Sequence, residues 1–158
     1  MDTLWAPWRI KYINGTHKTK GCLFCNASKE SADKKNLIIF RSKDSFCILN
    51  KFPYNNGHLM LCPYRHIKDI NQLRNEEILD LFHTLAKMQK LLKETLCPDG
   101  FNVGINLGRL SGAGIPGHLH LHLVPRWKED TNFMAVACNT KVISQSLLKL
   151  YDELHKRI

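Results

Sequence analysis

The chain has 158 residues, 44% hydrophobic and 23% charged, with a formal net charge of +9. That length supports one ordinary domain with a genuine core, and the balance excludes a low-complexity, fibrous or disordered chain. No apolar run approaches the roughly 20 residues of a membrane span, and the opening Met1 to Arg9 lacks the basic-then-apolar order of a secretory signal. The expectation is a cytoplasmic protein whose six cysteines stay reduced. The positive charge suits a polyanion. Without the interleaved basic and aromatic residues of a nucleic-acid module, a small polyphosphate fits better than DNA or RNA, and no membrane partner is expected.

In chain order, Trp5 and Trp8 come first, large apolar side chains expected to cover surface on this chain or on a second copy. The segment Gly21-Cys22-Leu23-Phe24-Cys25 carries a Cys-x-x-Cys pair. Such a pair can supply two metal ligands, act in redox chemistry or be half-buried without a ligand. Leu37 to Arg41 and Phe46 to Leu49 read as strands separated by the turn residues Ser42 to Ser45. Asn55-Asn56-Gly57 is a further turn signal, leading to a strand at about His58 to Cys62. Asn75 is placed to cap a helix, with Glu76 and Glu77 in its first turn. Ile78, Leu81, Leu85, Met88 and Leu92 then recur at three and four residues, the mark of one buried face, and the helix should stop before Pro98. Strands are expected at about Phe101 to Leu107 and Leu119 to Val124, and Ile143, Leu147, Leu150 and Leu154 mark a C-terminal helix over about 140–157.

Between the last two strands lies Gly108 to Gly117, with glycines at 108, 112, 114 and 117. Glycine permits the dihedrals and the close approach that let backbone N–H groups meet phosphate oxygens, although a flexible hairpin would have the same composition. Ser111 offers a hydroxyl in this loop. Next come His118, His120 and His122 at alternate positions, with Leu119, Leu121 and Leu123 between them. In a strand the imidazoles would line one face and the leucines a core. Three near-neutral rings on a rigid element suit nucleophilic, proton-transfer or metal chemistry. Strands on both sides of one long helix give an α+β fold with a mainly antiparallel sheet.

His118-Leu-His120-Leu-His122-Leu-Val124 resembles the signature of the histidine triad family of nucleotidyl hydrolases and transferases. Asn50, Pro53-Tyr54 and Gly57 to Pro63 are similar to the family's upstream strands, and Phe101 to Asn106 to the strand before the triad. Pro125-Arg126-Trp127 with Asn132-Phe133-Met134 resembles the branch that acts on dinucleoside polyphosphates. The resemblance runs from about Trp5 to the last helix. It implies a five-stranded sheet with one long and one C-terminal helix, and a homodimer. It also implies one triad domain over 1–158, with an N-terminal arm (1–30), a core of about 31–135 and the helix of about 140–157.

The resemblance places the nucleophile on His120 and a phosphate-oxygen donor on His122. It makes Asn50 a ribose contact and sets His58 and Asn106 among polar active-site groups. The loop residues Ser111, Gly112, Ala113 and Gly114 are expected on the phosphates, and Gly112-Ala113 departs from the Gly-Gln that many members carry there. With two ligands from Cys22 and Cys25, His66 and His118 are the candidates to complete a zinc site, an arrangement similar to that of related uridylyltransferases. His118 would then have a structural duty beside its place in the triad. Cys47 and Cys62 read as small buried residues.

The expected function is cleavage of a dinucleoside polyphosphate such as diadenosine tetraphosphate at the α-phosphate, through a nucleotidyl-histidine. Water as acceptor would make a hydrolase and phosphate a phosphorylase. A nucleoside phosphoramidase and a non-catalytic nucleotide-binding or zinc-stabilised interaction protein are the alternatives. A pure binder, however, has no need of a nucleophile flanked by donors.

Overall fold

Ile38–Arg41 (β1), Ser45–Leu49 (β2), Leu59–Pro63 (β3), Gly100–Ile105 (β4) and Leu121–Arg126 (β5) form one sheet in the order β1-β2-β3-β5-β4, every neighbouring pair antiparallel. A computed structural model describes residues 21–108, 110–128, 130 and 142–158. Trp5, Trp8 and the Asn132-Phe133-Met134 segment lie outside the described residues. Among the described residues four α-helices accompany the sheet: Leu23–Lys29 (α1), Asp33–Asn36 (α2), Asn75–Leu96 (α3) and Leu147–His155 (α4). None is long and apolar enough to cross a membrane.

The buried run of β2 and β3 is apolar on both faces, so neither strand shows the alternation of a half-solvated sheet. Helix α3 buries Leu81, Met88, Leu91 and Leu92, and α4 adds Leu150, Tyr151 and Leu154 to the same core. Asp80 ties α3 to the β1–β2 turn, accepting from Ser42 Oγ at 2.5 Å and Ser45 Oγ at 2.6 Å. Glu77 accepts from Arg65 Nε at 2.6 Å and from the Arg74 amide at 2.8 Å. That last bond moves the cap: Arg74, not Asn75, is the N-cap residue, because the carboxylate three residues on reaches back to its N–H.

Other boundaries shift for local reasons. Leu37 lies outside β1 with φ 62°, closing α2 in the left-handed conformation. Helix α4 starts only at Leu147, where Ser146 Oγ accepts from the Lys149 amide, and Ile143 precedes it. Ile78 is exposed, so the buried stripe of α3 is centred on Leu81, Met88 and Leu92. Cys97 ends α3 with φ 48°, just before Pro98 as expected. Helices α1 and α2 are additions to the expected pair; at 7 and 4 residues, with no periodic apolar stripe, they carry too little pattern to read. Gly57 makes the Asn55–Gly57 turn with φ 76°, and a Cβ there would lie 2.6 Å from Leu96.

Candidate active site and metal centre

Register builds the floor of a cleft. Ile48 on β2 pairs with Met60 on β3, Met60 with His122 on β5, and His122 with Gly104 on β4. Partners in register share a face of the sheet, so one rung presents two apolar side chains, then an imidazole, then no side chain at all. His120 stands just ahead of β5, its ring 4.9 Å from that of His122. The β5 ladder begins at Leu121 rather than Leu119, because the Leu119 amide donates to Ile67 O at 2.6 Å instead of to a neighbouring strand. Leu119, Leu121 and Leu123 are buried, as alternation requires.

Hydrogen bonds assign the protons on the buried rings. Nδ1 of His58 accepts from the Tyr54 amide at 3.1 Å and lies 3.3 Å from Asn50 Nδ2, so it carries a lone pair. His58 Nε2–H therefore donates to His122 Nδ1 at 2.9 Å. His122 in turn bears its proton on Nε2, which lies 3.5 Å from Asn106 Nδ2; a proton on that nitrogen requires the Asn106 amide to be flipped so that its oxygen meets the ring. His120 has the opposite polarity: Nδ1–H donates to the His118 carbonyl at 2.8 Å, leaving the lone pair on Nε2. Two adjacent rings thus present one acceptor and one donor. Burial first, then the neighbouring His122 and His120, pushes the His58 pKa down to about 3, so its ring stays neutral. Burial also lowers the His120 pKa, opposed by its bond to the His118 carbonyl.

His118 faces away from the cleft. Its Nε2–H donates to Pro63 O at 2.9 Å, and its Nδ1 lies 3.3 Å from Cys22 Sγ and 3.5 Å from Cys25 Sγ. His66 Nδ1 is 3.3 Å from Cys25 Sγ. The four ligand atoms of Cys22, Cys25, His66 and His118 all lie within 4.8 Å of one another. A tetrahedron with bonds of about 2.3 Å to sulfur and about 2.1 Å to nitrogen has a sulfur–nitrogen edge of about 3.6 Å, close to these separations. Burial and the adjacent Cys22 raise the Cys25 thiol pKa, a shift that a bound cation reverses. The donor set therefore fits a metal ion, and the two further ligands come from segments 41 and 93 residues beyond Cys25.

The cleft beside His120 and His122 has a volume of about 270 Å³. Ile48, Leu49 and Met60 from the sheet, Leu23 and Ala27 from α1, and Ile115 from the glycine loop give it apolar walls; Asn50 and Tyr54 also line it. Of the loop residues expected on a phosphate, Gly114 lines the cleft; Ser111, Gly112 and Ala113 do not, and Ser111 Oγ donates to the Gly108 carbonyl at 2.8 Å. His58 is fully buried behind His122 and reaches the cleft only through it. The contribution of α1 has no counterpart in the sequence reading. Phe24 packs at 5.4 Å from the His118 ring and 5.1 Å from the His120 ring, while Leu23, Asn26 and Ala27 face the cleft. The spacing of Cys22 and Cys25 on either side of Leu23-Phe24 was the one available signal that this stretch is pinned.

The chain is also similar in sequence and fold to known proteins. A HIT domain model matches residues 31–129. An AP-4-A phosphorylase of Mycobacterium tuberculosis is 35% identical over 157 residues, covering 93% of this chain and 79% of that protein. An asymmetrical bis(5'-nucleosyl)-tetraphosphatase of Schizosaccharomyces pombe is 31% identical over 93 residues, 59% of this chain and 50% of the other. Among solved structures, a Zn-bound histidine triad family protein from Mycobacterium smegmatis superposes with a TM-score of 0.69 at 23% identity, over 86% of this chain and 91% of that one. With the rung of Ile48, Met60 and His122, the paired polarity of His120 and His122, and a family match over most of its length, this chain belongs to the HIT-domain family.

Proposed function

We propose that the protein cleaves dinucleoside polyphosphates at an α-phosphate, with His120 as nucleophile. The observation that carries this reading is the opposite polarity of His120 and His122 at the mouth of an apolar cleft. His120 Nε2 attacks the α-phosphorus while the bond to the bridging oxygen breaks, and the leaving nucleoside polyphosphate takes the electron pair. His122 Nε2–H donates to the phosphoryl oxygen as charge develops. Water or phosphate then attacks the phosphorus, and the P–N bond returns its electrons to the ring. A cleft of about 270 Å³ suits one nucleoside, and in this reading the second nucleotide stays outside it as the leaving group. Asn50 lines the cleft for a ribose, and Gly114 for the phosphates.

The relatives' names supply the substrate class and two acceptors, since one is a phosphorylase and another a tetraphosphatase. Incubation with diadenosine tetraphosphate, with and without phosphate, separates them by product. AMP plus ATP means hydrolysis, ADP plus ATP means phosphorolysis, and no cleavage under either condition rejects the substrate class.

Zinc is the metal that a Cys₂His₂ donor set favours, and a structural role fits because all four positions are filled by side chains. A homodimer is supported by two exposed features. Strand β4 is a sheet edge with Val103 51% exposed, and α3 exposes Leu79 and Phe82 at 61% and 58%. Thiolate ligands at Cys22 and Cys25, which a metal site needs reduced, suit a reducing compartment such as the cytoplasm.

A further inference from the structure

Helix α1 is a wall shared by the metal cluster and the cleft. At 7 residues, with no side-chain cap at its N-terminus, it is too short to hold itself together, since isolated helices below about 12 residues are marginal in water. Its first turn is tied to the protein through Cys22 and Cys25, whose sulfurs meet His118 and His66. Its last residues are held by Arg41, which donates to the Ser28 carbonyl at 2.8 Å and the Glu30 carbonyl at 2.9 Å. Leu23 and Ala27, four residues apart and so on one helix face, form part of the cleft wall. Phe24, on another face, is fully buried against the rings of His118 and His120.

We propose that metal binding at the Cys22, Cys25, His66 and His118 cluster and nucleotide binding in the cleft are coupled through α1, so that each ligand tightens the other. A metal held by the two sulfurs orders the first turn of α1 and sets Leu23 and Ala27 in place for a nucleoside. A nucleoside packed on Leu23 and Ala27 orders the same turn and holds Cys22 and Cys25 in ligating position. Because binding free energies are state functions, the two effects are equal in size. The proposal rests on both the metal and the nucleotide readings above, and it assigns the cluster a role in substrate affinity beyond holding the fold.

The test uses the full chain with zinc and AMP as separate probes. Zinc affinity is measured by competition with a chromogenic chelator, with and without AMP; AMP affinity is measured by calorimetry on zinc-loaded and chelator-treated protein. Each ligand is expected to tighten the other by about tenfold, within the usual range of coupling between sites. Hydrogen exchange at the amides of residues 22–29 is expected to slow with either ligand and slow further with both. Leu23→Ala should shrink the gain in zinc affinity that AMP produces, read as the ratio of zinc affinities with and without AMP in the same variant. If zinc and AMP both bind but neither changes the other's affinity by more than about twofold, the coupling is wrong and both sites stand. Protein that binds AMP but no zinc overturns the metal reading and this proposal with it, and protein that binds zinc but no AMP overturns the nucleotide reading and the proposal likewise.

Discussion

His58 Nε2 lies 2.9 Å from His122 Nδ1, and this one bond decides which nitrogen of His122 can serve a phosphate. Because the Tyr54 amide donates to His58 Nδ1, His58 is the donor in the pair and His122 keeps its proton on Nε2. His58 is thus a positioning residue. Substituting His58→Phe removes the donor and frees His122 to take either tautomer. The expected result is a fall in kcat of about tenfold to a hundredfold, the scale seen when a group that orients a ligand's imidazole is lost. His58→Gln, which can still donate to His122, should recover part of the loss. Equal kcat in wild type and His58→Phe would remove the assignment.

Stability should respond to pH through the same residue. The His58 pKa is pushed down to about 3 by burial, against about 6.5 for the unfolded chain. The unfolded state therefore binds a proton that the folded state refuses between those values. The contribution is intact above pH 6.5 and is lost as pH falls toward 3, with a limiting slope of about 1.4 kcal/mol per pH unit. Urea midpoints at pH 7.5, 6.0 and 5.0, above most carboxylate titration, should fall more steeply for wild type than for His58→Gln. Parallel profiles would show that another group carries the acid sensitivity.

His120→Ala should abolish turnover while AMP binding stays within about tenfold of wild type. The nucleophile acts mainly in the transition state, whereas Asn50, the apolar wall and His122 hold the ground state. His122→Ala should slow the reaction and weaken binding together, since its donor serves both states. After a quench with α-labelled substrate, acid-labile and base-stable label on wild-type protein would mark a phosphoramidate. Substantial turnover by His120→Ala would mean that the triad is a binding surface.

Elemental analysis of purified protein should find about one zinc per chain, as one closed tetrahedral site requires. Cys22→Ser or Cys25→Ser should lower Tm before it lowers the rate at saturating substrate and permissive temperature, because the cluster holds α1 to the segments of His66 and His118. Zinc-free wild-type protein of unchanged Tm would reject the site.

Light scattering at micromolar concentration should give about twice the 18.2 kDa chain mass. Phe82→Glu with Val103→Lys places charges on the exposed face of α3 and on the β4 edge, and should shift the mass toward one chain. A wild-type protein that runs as a monomer and is fully active would end the dimer reading.

The alternation of His118, His120 and His122 with three leucines was legible because period two is a local property of extended chain. The turn at Asn55 to Gly57, the end of α3 before Pro98 and the core residues Leu81, Met88 and Leu92 were legible for the same reason: caps, turns and stripes are written within a few residues. Alternation alone, however, puts all three imidazoles on one face. In the folded chain His118 turns to the cysteines while His120 and His122 line the cleft. That division depends on Ile67 O taking the Leu119 amide and on Pro63 O taking His118 Nε2, partners 52 and 55 residues away in sequence. The polarity of the two catalytic candidates likewise rests on the His118 carbonyl for His120 and on His58 for His122, directions of donation that no residue pattern encodes. The nucleoside wall was invisible for a different reason. Leu23 and Ala27 lie on a helix too short to show a period, and what places it is a pair of sulfurs meeting histidines from distant loops. Local chemistry is read from neighbours in sequence, whereas tautomers, register and a metal's third and fourth ligands are set by neighbours in space.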